Sequence, residues 1–351
     1  MIRTSWSLSI DPKSAEKRRS LPGLLANTGI DVDNWQLIVD QMPPPPLREV
    51  RRVTANETTP GITADFASAA DVADRLRLVD YLPDEKIAAT VFLAERLVKP
   101  VLVEGPAGTG KTELAKSIAA ATGARLIRLQ CYEGLDEAKA LYEWDYRKQL
   151  LRIQASRQEP GTDSSWAAVE TDIFGEDFLL ARPLLEAIRA EDRVVLLVDE
   201  VDRLDVETEA LLLEVLSDYQ VSIPELGTMT ARQRPMVFLT SNNSRELSEA
   251  LKRRCLFLHV DYPSVERERE IILTRVPGIS ERLATQVAEI VRSLRAMELK
   301  KRPSVSETLD WARTLVVLST EVVTDALLRE NLNVLLKHQS DIEVAAERFN
   351  T

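Results

Sequence analysis

The run Gly105-Pro106-Ala107-Gly108-Thr109-Gly110-Lys111-Thr112 has the spacing of a loop that wraps a polyphosphate. Its glycines let backbone N–H groups turn inward, and a helix opening at Lys111 adds the positive end of its dipole. The Lys111 ammonium suits the β and γ oxygens, and the Thr112 hydroxyl suits magnesium. Glu113 follows directly and belongs to the same binding set. ATP with Mg2+ is therefore the expected cofactor pair.

A second pair of residues fits the same chemistry. Asp199-Glu200 follows the apolar run Val194-Val195-Leu196-Leu197-Val198, so two carboxylates leave the end of a strand, where an open α/β sheet holds its ligand. Asp199 is expected to hold magnesium through water, alongside Thr112. Glu200 is expected to act as general base, polarising the attacking water. Taken alone, the pair also reads as an acidic loop after a strand; the upstream loop gives it meaning. The next strand ends Thr240-Ser241-Asn242-Asn243, offering an amide between these elements. Asn242 is the candidate that positions the water, whereas Asn243 suits a turn with left-handed backbone. Leu251-Lys252-Arg253-Arg254-Cys255 precedes the last strand. In ring ATPases an arginine here reaches a neighbouring subunit's γ-phosphate. Arg254 is the first candidate and Arg253 the second, with a solvated or ion-paired helix end as the alternative.

Such residues need strands whose carboxyl ends lie in a row. Short apolar runs at 101–104, 125–129, 194–198, 236–240 and 256–260 supply them. Runs without alternation suit parallel strands covered on both faces, so the fold class is α/β, a five-stranded parallel sheet flanked by helices. Ile87, Val91, Ala94 and Val98 recur near helical spacing between Pro83-Asp84 and Pro100. After Pro263 the strand signals stop, and 266–276, 281–297, 305–319 and 321–336 read as helices of a small all-α lid. The expected organisation is an N-terminal extension over 1–60, containing the polyproline run Pro43 to Pro46, an α/β core over 61–263 and a helical lid over 264–351.

Composition excludes several classes. The 351 residues carry a net charge of -11, which repels polyanions, so nucleic acid is not the expected partner. No apolar run approaches the roughly 18 residues of a membrane span, and residues 1–10 lack a signal-peptide core, so a cytoplasmic protein is expected. Cys131, Cys255, His259 and His338 have no metal-ligand spacing, and neither a zinc site nor a disulfide is expected.

The sequence resembles the MoxR branch of AAA+ ATPases, and within it the CoxD-like accessory ATPases of carbon monoxide dehydrogenase maturation. The resemblance rests on the phosphate loop with Glu113-Leu114-Ala115-Lys116, on Leu126-Ile127-Arg128-Leu129-Gln130-Cys131-Tyr132-Glu133-Gly134, on Ala140-Leu141-Tyr142-Glu143-Trp144, on Ile223-Pro224-Glu225-Leu226-Gly227-Thr228, and on Glu307-Thr308-Leu309-Asp310-Trp311. It implies an insertion in the second helix at about 142–180, a four-helix lid, and a homo-oligomeric ring, usually a hexamer, with ATP at each interface. It also implies a partner with a von Willebrand factor A domain and a client metalloenzyme that is remodelled or activated. Two departures are visible: the extension over 1–60 is longer than this branch leads one to expect, and the family generally keeps a lid arginine near Ser304-Val305-Ser306, where here there is none. Arg302 or Arg313 substitutes, or the lid couples to the γ-phosphate differently.

Three functions use these residues: a ring ATPase that moves a client, an ATP-gated scaffold with little hydrolysis, and a nucleic-acid motor, against which the acidic balance weighs. Tyr132, Tyr142, Trp144 and Trp311 are expected to pack, with Trp144 the exception if the insertion projects into a pore.

Overall fold

The computed structural model describes residues 66–156 and 173–349; the extension over 1–60 and residues 157–172 of the expected insertion lie outside the described residues. The described chain begins with α1 (Ala69–Leu78) and α2 (Glu85–Leu97). Asp84 caps α2, its carboxylate accepting from Ile87 N at 2.7 Å. There follow β1 (Val101–Glu104), α3 (Lys111–Thr122), β2 (Arg125–Gln130), α4 (Glu137–Ala140), β3 (Tyr142–Trp144), α5 (Tyr146–Ser156), β4 (Leu179–Ala181), α6 (Pro183–Arg189) and β5 (Val194–Asp199). Next come α7 (Val206–Asp218), β6 (Gln220–Ile223), β7 (Gly227–Thr230), β8 (Met236–Ser241), α8 (Glu249–Arg254) and β9 (Leu256–His259).

The main sheet has the order β2-β5-β8-β1-β9, and every pairing is parallel. The fold is thus the expected α/β class with five parallel strands. Strand residues alternate between two cores: Leu102, Leu196, Val198, Val237 and Leu239 face one, and Val101, Val103, Val195, Leu197 and Phe238 face the other. Both faces of β1, β5 and β8 are dry, which is why these strands show no polar alternation in sequence, whereas the edge strands β2 and β9 each expose residues. β1 lies between β8 and β9: the chain leaves it towards β2 on one side, and the later β8–β9 connection passes it to reach the other. Register aligns the neighbouring ends, with Glu104 opposite Ser241 and Gln130 opposite Asp199.

Two small antiparallel pairs, β3 with β4 and β6 with β7, are additions that the apolar runs did not signal. Each strand holds only three or four residues, too few for a pattern, and the β6–β7 hairpin turns through Gly227 at φ 79°. Trp144 belongs to the core: it is 8% exposed and meets Phe174 edge to face at 5.3 Å. Trp311 is fully buried.

After β9 the described chain is helical: α9 (Val265–Arg275), α10 (Glu281–Arg295), α11 (Val305–Val317), α12 (Asp325–Leu335) and α13 (Gln339–Arg348), around a separate apolar core that includes Trp311. The last helix is not among the four read from sequence, and the fourth begins later than expected because Thr324 caps it, accepting from Leu327 N. Among the described residues no helix is long and apolar enough to cross a membrane.

One buried ion pair locks this helical region. Arg295 and Glu268, 9% and 1% exposed, make a two-pronged contact at 2.6 and 2.8 Å. Arg295 also donates to the Pro303 carbonyl at 2.8 Å, and Thr308 donates to Glu268 at 2.9 Å. The pair thereby fixes the loop that presents Ser304. Removing one partner of a buried pair leaves the other charge uncompensated, so Glu268→Ala should destabilise the full chain by about 3–5 kcal/mol. The denaturant midpoint measures this; a midpoint unchanged from wild type would show that the pair carries no such weight.

Candidate functional site

The loop between β1 and α3 is shaped by two close approaches. Gly105 has φ 155°, and a Cβ there would lie 2.0 Å from the Val260 carbonyl oxygen, just past β9. Gly108 has φ 73°, and its Cβ would lie 2.3 Å from Ser304 Oγ. Both positions favour glycine, because the Val260 backbone crowds Gly105, the Ser304 side chain crowds Gly108, and both have positive φ. Val305 N also donates to the Gly108 carbonyl at 3.2 Å, so the start of α11 rests on the loop. Gly110 caps α3 without any side-chain acceptor, so no side chain competes for the first-turn N–H groups, an arrangement that suits an anion.

Lys111 lies inside this frame, 6% exposed. Its Nζ donates to Gly105 O at 2.8 Å, Pro106 O at 2.7 Å and Asn242 Oδ1 at 2.8 Å, which uses all three ammonium protons. Burial holds its pKa below the usual lysine value, opposed by the charges of Asp202, Asp199 and Glu200.

Thr112 donates to Asp199 Oδ1 at 2.9 Å. Asp199, 3% exposed, also receives the Thr240 hydroxyl on Oδ1 and a fork from Arg128 on Oδ2, at 3.1 Å from Nε and 2.6 Å from Nη2. Glu200 adopts left-handed backbone with φ 58°, a conformation costing about 1–3 kcal/mol that the surroundings must impose. They do so through Glu200 N, which donates to Thr240 Oγ1 at 2.9 Å. The Glu200 carboxylate receives Gln130 Nε2 at 3.1 Å and pairs with Arg203 at 2.9 Å.

Asn242 and Asn243 divide as their types suggest. Asn242 Oδ1 reaches Lys111, while Asn243 takes the left-handed position at φ 57°. Asp202, 3% exposed, holds the turn: its Oδ2 accepts from Asn242 N at 3.2 Å, Ser244 N at 2.9 Å and Ser244 Oγ at 2.6 Å. Burial alone would raise the Asp202 pKa, but the Ser244 and Asn242 donors outweigh it and hold the carboxyl below its usual range.

These side chains line a cleft of about 300 Å3 that Ala107, Lys116 and Ser306 complete. A second cleft of about 180 Å3 shares Gly108, Gly110, Glu113 and Ser306 and is bounded by residues 80–82, Ile271, Arg275 and Leu309. Thr109 and Glu113 line it, and Arg275 pairs with Glu113 at 2.9 Å. Pro106 contributes its carbonyl to Lys111 and to the Thr109 hydroxyl.

The two arginine candidates sit differently. Arg254 donates to the Ala250 carbonyl at 2.9 Å and bonds Ser217 within its own chain. Arg253 is exposed and has no ion pair or hydrogen bond among the described residues. Neither is brought to the cleft of its own chain. Of the possible lid arginines, Arg313 pairs with Asp310 at 3.0 Å on the surface and Arg302 is exposed. The lid meets the loop through Ser304, Val305, Ser306 and Arg275 instead.

Sequence reasoning missed Arg128, Gln130, Thr240 and Asp202. Arg128 and Gln130 share one side of β2 at a spacing of two, but their reach to Asp199 and Glu200 depends on β2 lying beside β5. Among the described residues no group of three or more His, Cys, Asp or Glu side chains could hold a metal ion. Cys131 and Cys255 are free, and burial pushes each thiol up to about 12.

Residues 101–261, from β1 to just beyond β9, match the model of the ATPase family associated with various cellular activities (AAA). Relatives are distant. Uncharacterized protein SH1500 of Staphylococcus haemolyticus is 24% identical over 245 residues, covering 67% of this chain and 82% of that protein. The chloroplastic ClpA homolog of Brassica napus, an ATP-binding subunit of the ATP-dependent Clp protease, is 26% identical over 273 residues; the match covers 76% of this chain but only 25% of that protein. Denitrification regulatory protein NirQ of Pseudomonas aeruginosa is 23% identical over 235 residues, covering 65% of this chain and 77% of NirQ.

Gly105 and Gly110 differ in what an added side chain would meet. Gly105→Ala meets backbone at 2.0 Å, whereas Gly110→Ala meets nothing within 4 Å and suffers only its φ of 93°. Gly110→Ala should cost about 1–2 kcal/mol, and Gly105→Ala more. Thermal unfolding of the two variants ranks them; equal midpoints would contradict the close approach at Val260.

Proposed function

We propose that the protein binds ATP with magnesium in the larger cleft and hydrolyses it within a homo-oligomeric ring, using the cycle to remodel or activate a client protein. One observation carries this reading: Lys111, Thr112, Asp199, Glu200 and Asn242 converge where β1, β5 and β8 end, around a loop whose Gly105 and Gly108 leave no room for a Cβ.

The residues fit the ligand. Backbone donors at the start of α3 and the Lys111 ammonium suit a polyphosphate. The Thr112 hydroxyl and the Asp199 carboxylate offer the hard oxygens magnesium prefers, and a site with one carboxylate suits an ion that keeps water and phosphate ligands. Bound magnesium supplies neutralisation of charge on the β and γ oxygens. Lys111 would exchange its loop carbonyls for phosphate oxygens. Glu200, held by Gln130 and Arg203, would accept the proton of the attacking water, and Asn242 would orient that water. The smaller cleft, between residues 80–82 and the lid, is of a kind to take the adenosine.

Ring formation would complete each site with an arginine from the next subunit. Arg253 leads here over Arg254, because Arg254 is already tied inside its own chain. A client-remodelling role is supported by the resemblance to MoxR proteins and by the similarity to NirQ and the Clp subunit. A hexamer, a von Willebrand factor A domain partner, a metalloenzyme client and a cytoplasmic setting belong to the same proposal. A second reading, an ATP-gated scaffold with little turnover, is favoured by Ser306 standing where a lid arginine is expected.

ATPase rate and size-exclusion mass test both readings. Glu200→Gln should bind ATP, accumulate as a ring, and lose at least about 100-fold in kcat. Arg253→Ala should lose about as much without weakening ATP binding, since it removes charge stabilisation in the transition state. A wild type that stays monomeric with ATP and shows no turnover would defeat the ring-ATPase reading, while a ring without turnover would favour the scaffold.

A further inference from the structure

We infer that Asp202 is a positioning residue of the hydrolytic site: it holds the Asn242 turn in place and so fixes the amide that faces Lys111. The inference rests on the ATPase reading of the cleft and deepens it.

Asp202 lies in the short helical turn Val201–Arg203 after β5 and is 3% exposed. A carboxylate so deeply buried is costly unless donors surround it. The donors Asp202 finds all come from one turn: Asn242 N, Ser244 N and Ser244 Oγ, converging on Oδ2. Its Oδ1 is buried, and among the described residues it has no hydrogen-bond partner and no arginine or lysine forms an ion pair with Asp202. Its hydrogen bonds must first offset the cost of desolvating a carboxylate, so net stability is a weak reason for its presence.

Geometry supplies a stronger one. The turn contains Asn243 in left-handed backbone, which persists only where contacts over-determine it. Three bonds to one oxygen provide that constraint. Asn242 then presents Oδ1 to Lys111 Nζ at 2.8 Å. Two residues earlier in the chain, Thr240 contacts both Asp199 and Glu200. Asp202 thus sets the position of the amide relative to the lysine and the two carboxylates, from behind and without touching the cleft.

Asp202→Asn keeps the size and removes the charge. Its NH2 either opposes the turn's N–H donors or replaces the unpartnered oxygen, and both outcomes loosen the turn. In the full chain, kcat should fall about 100-fold, as expected when a reacting group is misplaced by about 1 Å. The Kd for a fluorescent ATP analogue with magnesium should stay within about 3-fold, the split expected when only transition-state contacts are lost. Ser244→Ala, at an exposed position, removes one of the three donors and should lower kcat about 3- to 10-fold; added to Asp202→Asn it should change nothing further, because both act through one contact. The inference is overturned if either variant keeps wild-type kcat, if affinity and kcat fall together, or if the two substitutions are additive. Should Asp202→Asn fail to fold, Ser244→Ala decides alone. A wild type without turnover removes the ATPase reading and this inference with it.

Discussion

The structure depends on a loop of backbone compressed between two other pieces of chain. Below, β9 brings the Val260 carbonyl against Gly105; above, α11 brings Ser304 against Gly108. Neither approach tolerates a Cβ, so the loop is held by exclusion as much as by attraction. That confinement orients the N–H groups at the start of α3 and buries Lys111. The loop, the edge strand and the lid are consequently one mechanical unit, although they are far apart in sequence.

Around this unit the charges are arranged so that no side chain acts alone. Asp199 is held by Thr112, Thr240 and Arg128, and Glu200 by Thr240, Gln130 and Arg203. Thr240 is shared, since its single hydroxyl donates to Asp199 and accepts from Glu200 N. Three buried or half-buried carboxylates near one ammonium also explain why Lys111 remains in place despite desolvation: their charge opposes the burial that lowers its pKa.

The lid reaches the loop without the arginine that the family resemblance leads one to expect. Its contacts are a backbone hydrogen bond from Val305 to Gly108, the Ser304 packing, and the Arg275–Glu113 ion pair. The ion pair is partly exposed on both sides and screened by solvent, so it contributes little to this link. The Arg295–Glu268 pair, by gripping Pro303, sets where that contact falls.

The local placement of the candidate residues was legible from sequence alone. The phosphate loop, the Asp199-Glu200 pair, the division of labour between Asn242 and Asn243, and the five apolar strands could be read because each depends on residue type and short spacing. Tertiary structure decided the rest. That Arg128 and Gln130 serve the carboxylates follows from β2 lying beside β5; that Asp202 braces the Asn242 turn follows from β5 lying beside β8. That Arg254 is tied to Ser217 while Arg253 is exposed depends on how α8 packs against α7. Strand order and helix packing bring together residues separated by tens of positions, and the chain's own periodicity carries no record of which strand becomes whose neighbour.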